Sequence, residues 1–268
     1  MKNKPFILIT GDDSVRAEGS ILVKRVVEKF ADYRIIATKE QQSAVGAKIN
    51  LKNGGNWGTE QVDGVEAIWV DGTPGDSVYF AFDYLKKIGK KPDLVISGMN
   101  LGPNFSDGSL LISGTVCAAS IAALSRHTPA IAFSFYDSGK NWLKDHDGGF
   151  DEKMLKYPGE VMKKFIKYAL EKGMPKGTFW NINFPAEPTN KIKLVSTYDG
   201  AHFPNRVKIE GDKYSYIPEF GSMDVAENTD VKELANGFIT FTPCRTQFTD
   251  QAEFDRLKKL GPIEKLLS

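Results

Sequence analysis

The first half of the chain alternates between short apolar runs and segments whose apolar residues recur at helical spacing. Residues 6–10 are apolar and β-branched and stop at Gly11, which predicts a strand. The next segment is predicted to be a helix, because its apolar residues recur at helical spacing and share one face: Leu22, Val23, Val26, Val27 and Phe30. The same patterns predict strands at 34–37, 67–70, 94–96 and 129–133, and helices from about 74 to 88 and from about 113 to 124.

Strands separated by helices in this way indicate a Rossmann-like α/β fold, with a mostly parallel sheet covered by helices on both faces. The polar stretch at 43–53 is interpreted as an excursion or a hairpin, and residues 97–113 as one long polar loop. Ligands of such folds bind where loops leave the carboxyl ends of the strands. The loops at 11–14, at Ser43 and at 97–113 are therefore expected to lie on one edge of the sheet.

The pattern becomes less regular after about residue 135. A helix is predicted around 161–170, a strand at 179–184, a strand-rich region from 187 to 248 and a helix from 251 to 267 that is interrupted near Gly261 and Pro262. No linker rich in Gly, Ser or Pro and no internal repeat divides the chain. Residues 1–268 are accordingly interpreted as a single domain, with an α/β core at about 1–186 and an elaborated, strand-rich C-terminal extension at about 187–268.

Composition and charge limit the classes of function. The chain has 268 residues, 41% hydrophobic and 26% charged, which is typical of a globular protein. Lys and Arg (35) nearly balance Asp and Glu (34), so nothing indicates binding to a nucleic-acid polymer or an anionic membrane. No apolar stretch is long enough to span a bilayer, and no signal peptide is recognisable. Cytoplasmic localisation is the prediction.

Two adjacent carboxylates, Asp12 and Asp13, directly follow the first predicted strand. Like charges this close resist joint ionisation unless a cation compensates them, so the pair indicates a divalent metal. An alternative is that one aspartate caps the next helix while the other is solvated.

Polar residues also follow the strand at 94–96 and begin the next helix. Asn100 and Asn104 supply amide oxygens of the kind that Mg²⁺ and Mn²⁺ accept, although asparagine near glycine is also common in turns. Ser113, Gly114 and Thr115 offer hydroxyl and N–H groups where a helix dipole favours an anion. The alternative here is a simple helix N-cap.

Other motifs of catalysis are missing from the sequence. It contains no GxGxxG after the first strand, no GxxxxGK[ST] and no GxSxG, which argues against a dinucleotide fold, a P-loop NTPase and an α/β-hydrolase. His127, His146 and His202 do not have metal-ligand spacing.

Five motifs occur in order along the first half of the chain, namely ILITGDDS at 7–14, the Ser43 loop, GTPGDSV at 72–78, SGMNLGPN at 97–104 and SGTV at 113–116. Their order and spacing resemble those of the SurE family of survival-protein nucleotidases. The likeness is strong over residues 6–134 and fainter at 181–185 and 229–243. It implies a metal-dependent phosphatase of phosphate monoesters, acting on nucleoside 5'- or 3'-monophosphates, that assembles as a homodimer or homotetramer.

The resemblance also assigns residues. The family's metal ligands fall on Asp12, Asp13, Ser43 and Asn100, which would hold one Mg²⁺ or Mn²⁺ per subunit, and the aspartates are the expected catalytic residues. The phosphate-binding positions fall on Asn104, Ser113, Gly114 and Thr115.

The chain departs from the family's usual Asn-Asp-Asp-Gly opening, because Gly11 and Ser14 flank the two aspartates. Two alternatives therefore stay open. One is a metal-binding relative with weak or no catalysis. The other is a phospho-receiver signalling domain, which also places an acidic pair after its first strand. Two features argue against the receiver. This chain has Gly98 at the position where a receiver keeps its phospho-accepting aspartate, and this segment lies too far after the acidic pair for a compact receiver.

Overall fold

The computed structural model describes residues 4–136, 151–200, 205–218 and 224–260. The predicted helix beyond residue 260, and His146 and His202, lie outside the described residues. The strands are β1 (Phe6–Thr10), β2 (Asp32–Thr38), β3 (Trp57–Val62), β4 (Val65–Val70), β5 (Leu94–Leu101), β6 (Ala130–Tyr136), β7 (Thr178–Pro185), β8 (Ile192–Leu194), β9 (Asn205–Glu210), β10 (Lys213–Pro218) and β11 (Ile239–Arg245). The α-helices are α1 (Glu18–Val27), α2 (Pro74–Lys87), α3 (Asp107–Ile112), α4 (Gly114–Ser125), α5 (Glu160–Lys172), α6 (Asp230–Ala235) and α7 (Gln251–Leu260).

Nine strands form one sheet in the order β3-β4-β2-β1-β5-β6-β7-β11-β8. The central strands are parallel, while β3–β4 and β7–β11 are antiparallel pairs near the two edges. The predicted α/β fold with a mostly parallel sheet is confirmed.

Helices cover both faces of this sheet, as the strand pattern predicts. Along β1, Ile7 and Ile9 pack in the cluster that contains α1 and α5, whereas Leu8 packs with α2 and α4. A strand that is buried on both faces has no polar side, which explains the continuous apolar run at residues 6–10.

One local prediction is decided and another needs correction. Of the two alternatives for residues 43–53 the excursion is confirmed, because these residues form turns without a strand, and the hairpin comes later, where β3 pairs antiparallel with β4. The predicted loop at 97–113 contains the end of β5 and the helix α3, because Asn100 and Leu101 pair with β6 beyond an irregularity in register. The density of Gly, Asn and Ser conceals both elements, and α3 has too few residues to show helical periodicity.

The C-terminal strands take part in two sheets. β8 and β11 extend the main sheet beyond β7, whereas β9 and β10 form a separate antiparallel hairpin. The division at about residue 186, and a role of the later part in assembly, stay predictions.

Within the described part of the chain, no helix has the length and apolar character needed to cross a membrane.

Candidate active site

The loops after β1, β2 and β5 meet at the N-terminus of α4. The Gln42 amide, next to Ser43, donates to the Asp12 carbonyl oxygen at 2.7 Å. The Leu101 amide, next to Asn100, donates to Asp13 Oδ2 at 3.3 Å. Thr115, in the first turn of α4, donates its hydroxyl to Asp12 Oδ1. The predicted convergence of these loops at one edge of the sheet is therefore present in the structure.

Asp12 is buried against the first turn of α4, with only 4% of its surface exposed. It accepts hydrogen bonds from the hydroxyl and the backbone N–H of Thr115. A Cβ added to Gly114 would lie 2.7 Å from both Cβ and Oδ2 of Asp12, so any larger residue would collide with the carboxylate. Asp12 thus contacts the first turn of α4, a helix more than 100 positions later, and does not cap the helix that follows it in sequence.

Asp13 is also buried, and its two oxygens have different donors. Oδ2 accepts the Leu101 amide of β5, and Oδ1 accepts the Gln41 side-chain amide at 3.5 Å. Asp13 is therefore fixed between the loop after β2 and the end of β5.

The pKa values of both carboxyls are raised well above the usual aspartate range. Burial is the largest cause for each, and for Asp12 the charge of Asp13 raises the pKa further. The hydrogen bonds from Thr115 and Leu101 oppose the shift without cancelling it. No lysine, arginine or histidine of the described residues forms an ion pair with either carboxylate. Within the described part of the chain, the negative charge of the pair therefore has no cationic side chain to compensate it.

The other two candidate ligands are joined to this pair through their sequence neighbours, Leu101 and Gln42. Asn100 donates its side-chain N–H to the Gly102 carbonyl at 2.7 Å, which fixes the amide and leaves its oxygen as the atom for a cation. Ser43 is exposed, in a loop joined to the site by the Gln42 amide and by the Gly46 amide, which donates to Ile112 at 2.8 Å.

Asn104 is held by side chains from two neighbouring strands. Its backbone N–H donates to Asn183 Oδ1 at 2.8 Å. Its backbone carbonyl accepts from the side-chain amides of Asn181 and Asn183 at 2.7 and 2.9 Å. Its own side-chain N–H donates to Ser134 Oγ at 2.8 Å. These three partners are fully buried.

Ser113 is the N-cap of α4. Its hydroxyl oxygen accepts from the Val116 amide at 3.1 Å, as the helix-cap alternative expects. The hydroxyl hydrogen is not used in that bond, so capping is compatible with donation to an anion.

Gly11 and Ser14, the two residues that differ from the family's usual opening, have different structural consequences. Ser14 has a φ of +89°, a region that favours glycine, and its hydroxyl accepts the Arg16 amide at 3.2 Å. A Cβ on Gly11 would meet the Gly98 backbone no closer than 3.4 Å, which is an ordinary contact. Strain therefore accompanies Ser14, whereas Gly11 leaves room for a side chain.

Sequence reasoning missed Gln41, Ser134, Asn181 and Asn183. For the last two a signal was present, because asparagine alternates with apolar residues in a strand that is otherwise suited to burial. Buried amides require partners, so their positions alone indicate a polar network.

The donor set fits a hard divalent cation. Among the described residues, no cluster of three or more His, Cys, Asp or Glu could hold a metal. A cation here would depend on the two carboxylates with neutral oxygens from Asn100 and Ser43, and such oxygen ligands suit Mg²⁺ or Mn²⁺ better than Zn²⁺. Two uncompensated buried carboxyls are the observation that favours this occupant.

In comparisons with known proteins, the family match, the similar sequences and the similar solved structure are all SurE proteins. The sequence matches the family described as "Survival protein SurE" over residues 7–203. A 5'-nucleotidase SurE of Methanocorpusculum labreanum is 32% identical over 263 residues, covering 96% of this chain and 97% of the relative. One of Methanospirillum hungatei is 33% identical over 265 residues, covering 97% and 93%. The crystal structure of the SurE protein from Aquifex aeolicus superposes with a TM-score of 0.75 at 25% identity, covering 96% of this chain and 99% of that one.

Proposed function

This chain belongs to the SurE family, and from that membership together with the geometry of its site we propose that it is a metal-dependent phosphatase that hydrolyses nucleoside monophosphates. The relatives of Methanocorpusculum labreanum and Methanospirillum hungatei carry the name 5'-nucleotidase, which supports the 5'-esters as first substrates to test. The 3'-esters are the second.

One observation carries the proposal. Asp12 and Asp13 are buried side by side at the carboxyl end of β1, and burial raises the pKa of both. A protein that buries two adjacent carboxylates without a cationic side chain loses stability unless another positive charge enters the site. A bound divalent cation is the simplest such charge.

Within this proposal, Asp12, Asp13, Asn100 and Ser43 hold one Mg²⁺ or Mn²⁺. When bound, the cation polarises the phosphate and lowers the pKa of water. Asp12 is fixed by Thr115, and Asp13 by Leu101 and Gln41, so each carboxylate is positioned to orient a water molecule or accept its proton. Asn104, together with Ser113, Gly114 and Thr115 at the start of α4, would receive the phosphate oxygens.

A neighbouring cavity supports a nucleoside as the rest of the substrate. It has a volume of about 580 Å³, and one of its lining residues is Leu101, whose amide donates to Asp13. Phe135 and Tyr157 provide aromatic walls, and Lys153 and Lys156 also line it. Aromatic rings favour the flat surface of a base, so esters without a base should bind more weakly.

The test is hydrolysis of p-nitrophenyl phosphate and of a panel of nucleoside 5'- and 3'-monophosphates, with and without Mn²⁺. We expect loss of activity in EDTA and recovery with Mn²⁺ or Mg²⁺ that exceeds recovery with Zn²⁺. Full activity in excess EDTA after dialysis would contradict metal dependence. Mn²⁺ binding without hydrolysis would favour the inactive relative, and the pair Gly11→Asn and Ser14→Gly would then test whether the family's opening restores turnover.

Assembly as a homodimer or homotetramer is part of the proposal. On the hairpin, Val207 pairs with Tyr216 and Ile209 with Tyr214, and all four apolar side chains are exposed on one face. We expect Ile209→Asp to lower the mass measured by light scattering, whereas Lys208→Ala, on the opposite face, should preserve it. A monomeric parent protein at micromolar concentration would contradict assembly. Cytoplasmic localisation and the lack of nucleic-acid binding stay predictions.

A further inference from the structure

The asparagines of β7 hold the backbone of Asn104 from one side. Asn183 contacts Asn104 twice, since its Oδ1 accepts the Asn104 N–H and its Nδ2 donates to the Asn104 carbonyl. A side-chain amide that contacts both polar groups of one residue imitates the pairing of a neighbouring strand. Asn181 adds one more donor to the same carbonyl, so its contact is partly redundant.

The side chain of Asn104 is fixed separately by Ser134. The amide nitrogen of asparagine carries two hydrogens, and only one is needed for the bond to Ser134 Oγ. Because backbone and side chain are both held by fully buried partners, the second hydrogen has a defined position.

The next residues of the loop are held from the C-terminal region. The Ser106 amide donates to Asp230 Oδ2 at 2.9 Å, and the other Asp230 oxygen accepts the Tyr198 amide at 2.9 Å. Asp230 thus fixes the loop two residues beyond Asn104 without contacting Asn104 itself. This gives a natural control for effects that arise only from loop stability.

We propose that Asn183 is a positioning residue, which holds Asn104 so that the free amide hydrogen of Asn104 donates to the phosphate of the substrate. The inference rests on the proposed phosphatase function. Asn183 acts through Asn104 and needs no contact with substrate. Because Asn104 would bind phosphate in the ground state and in the transition state alike, its displacement should raise KM more than it lowers kcat.

The experiment measures inorganic phosphate binding by calorimetry in the presence of Mn²⁺, together with steady-state kinetics on p-nitrophenyl phosphate. For Asn183→Ala we expect phosphate affinity to fall by roughly 10-fold or more, the scale of one hydrogen bond to a charged group, with KM rising in parallel. Mn²⁺ affinity should be unchanged. Asn181→Ala should have a smaller effect, since Asn183 still holds the same carbonyl, and Asp230→Asn should alter stability more than phosphate affinity.

A double-mutant cycle separates positioning from general destabilisation. In an Asn104→Ala background, Asn183→Ala should cause no further loss of phosphate affinity, although it can still lower the melting temperature. An additive loss of affinity in that background would overturn the inference, as would an unchanged KM in folded Asn183→Ala. If Asn183→Ala does not fold, Asn183→Ser provides the same test, because serine stays polar and neutral but is too short to contact both backbone groups of Asn104.

The inference and the proposed function fail in different ways. A parent protein that hydrolyses phosphate esters while Asn183→Ala matches it in KM and phosphate affinity would overturn only the positioning role. A parent protein that neither hydrolyses these esters nor binds phosphate with Mn²⁺ would overturn both.

Discussion

The candidate site has two halves that are built on opposite electrostatic principles. The acidic half, Asp12 and Asp13, holds two buried carboxyls whose pKa values are raised because burial and mutual repulsion disfavour their charge. The amide half, Asn104 with Ser134, Asn181 and Asn183, is neutral and connected by hydrogen bonds of 2.7–2.9 Å.

This difference teaches how one small site can bind a cation and an anion side by side. Without a cation, the charged form of the acidic half destabilises the folded protein. A bound cation removes that destabilisation, which contributes to its affinity. In the amide half, the backbone and the side chain of Asn104 are already hydrogen-bonded, so its atoms are fixed before an anion arrives and lose little freedom on binding. Thr115 has a part in both bindings under the proposed function, because its hydroxyl donates to Asp12 and its helix start is assigned to the phosphate.

Asp13→Asn should give the largest effect, because it removes one charge from the acidic half while preserving its shape. We expect kcat to fall by roughly 100-fold or more, with weaker Mn²⁺ binding. Calorimetric Mn²⁺ titration and steady-state kinetics measure both. Asp32→Asn, at an exposed aspartate of β2, is the control. If Asp13→Asn keeps Mn²⁺ affinity and most of kcat, the acidic pair has no role in metal binding.

The stability of the metal-free protein should depend on pH through the acidic half. The folded pKa values of Asp12 and Asp13, at about 7 and 6, lie above the unfolded value of 3.8, so the folded state binds more protons between these limits. The free energy of unfolding therefore falls as pH rises from about 4 to about 7, by roughly 1–4 kcal/mol.

Urea unfolding in EDTA at pH 5 and pH 7.5 measures this fall. Asp13→Asn should show a smaller fall than the parent, and Mn²⁺ should stabilise the parent more at pH 7.5 than at pH 5. An equal fall in both proteins would assign the pH dependence to other groups.

Thr115→Ala tests the boundary between the halves. Because the hydroxyl donates to Asp12, its loss should weaken Mn²⁺ binding as well as phosphate binding, each by roughly 1–2 kcal/mol. The structure thus changes the expectation for a residue assigned to phosphate alone. Thr115→Ser keeps the hydroxyl and should retain most of both affinities. A loss confined to phosphate binding would show that the Asp12 contact is unimportant.

Ser113→Ala should have the smallest effect. Removing the N-cap oxygen of α4 should lower the free energy of unfolding by roughly 1 kcal/mol, whereas Ser113→Thr should be close to the parent. Urea unfolding measures the cap, and phosphate titration of the same proteins measures any separate role in anion binding. An unchanged stability in Ser113→Ala would contradict the capping role.

Much of the acidic half could be predicted from the sequence. The strand at residues 6–10 has the same bounds in the structure, because an apolar run buried on both faces is a local signal. The position of Asp12 and Asp13 at the end of that strand then follows from chain continuity. The meeting of the loops after β1, β2 and β5 follows from the parallel order of the strands.

Only the tertiary structure decided what these residues contact. Asp12 reaches the start of α4, and Asn104 is held by β6 and β7, although 30 to 103 positions of chain separate the partners. Local periodicity reports which face of an element is buried, but it carries no information on which distant polar group satisfies a buried amide or carboxylate. That choice depends on strand order and register, so the partners of the amide half and the contact of Asp12 with Thr115 could not be predicted from the chain alone.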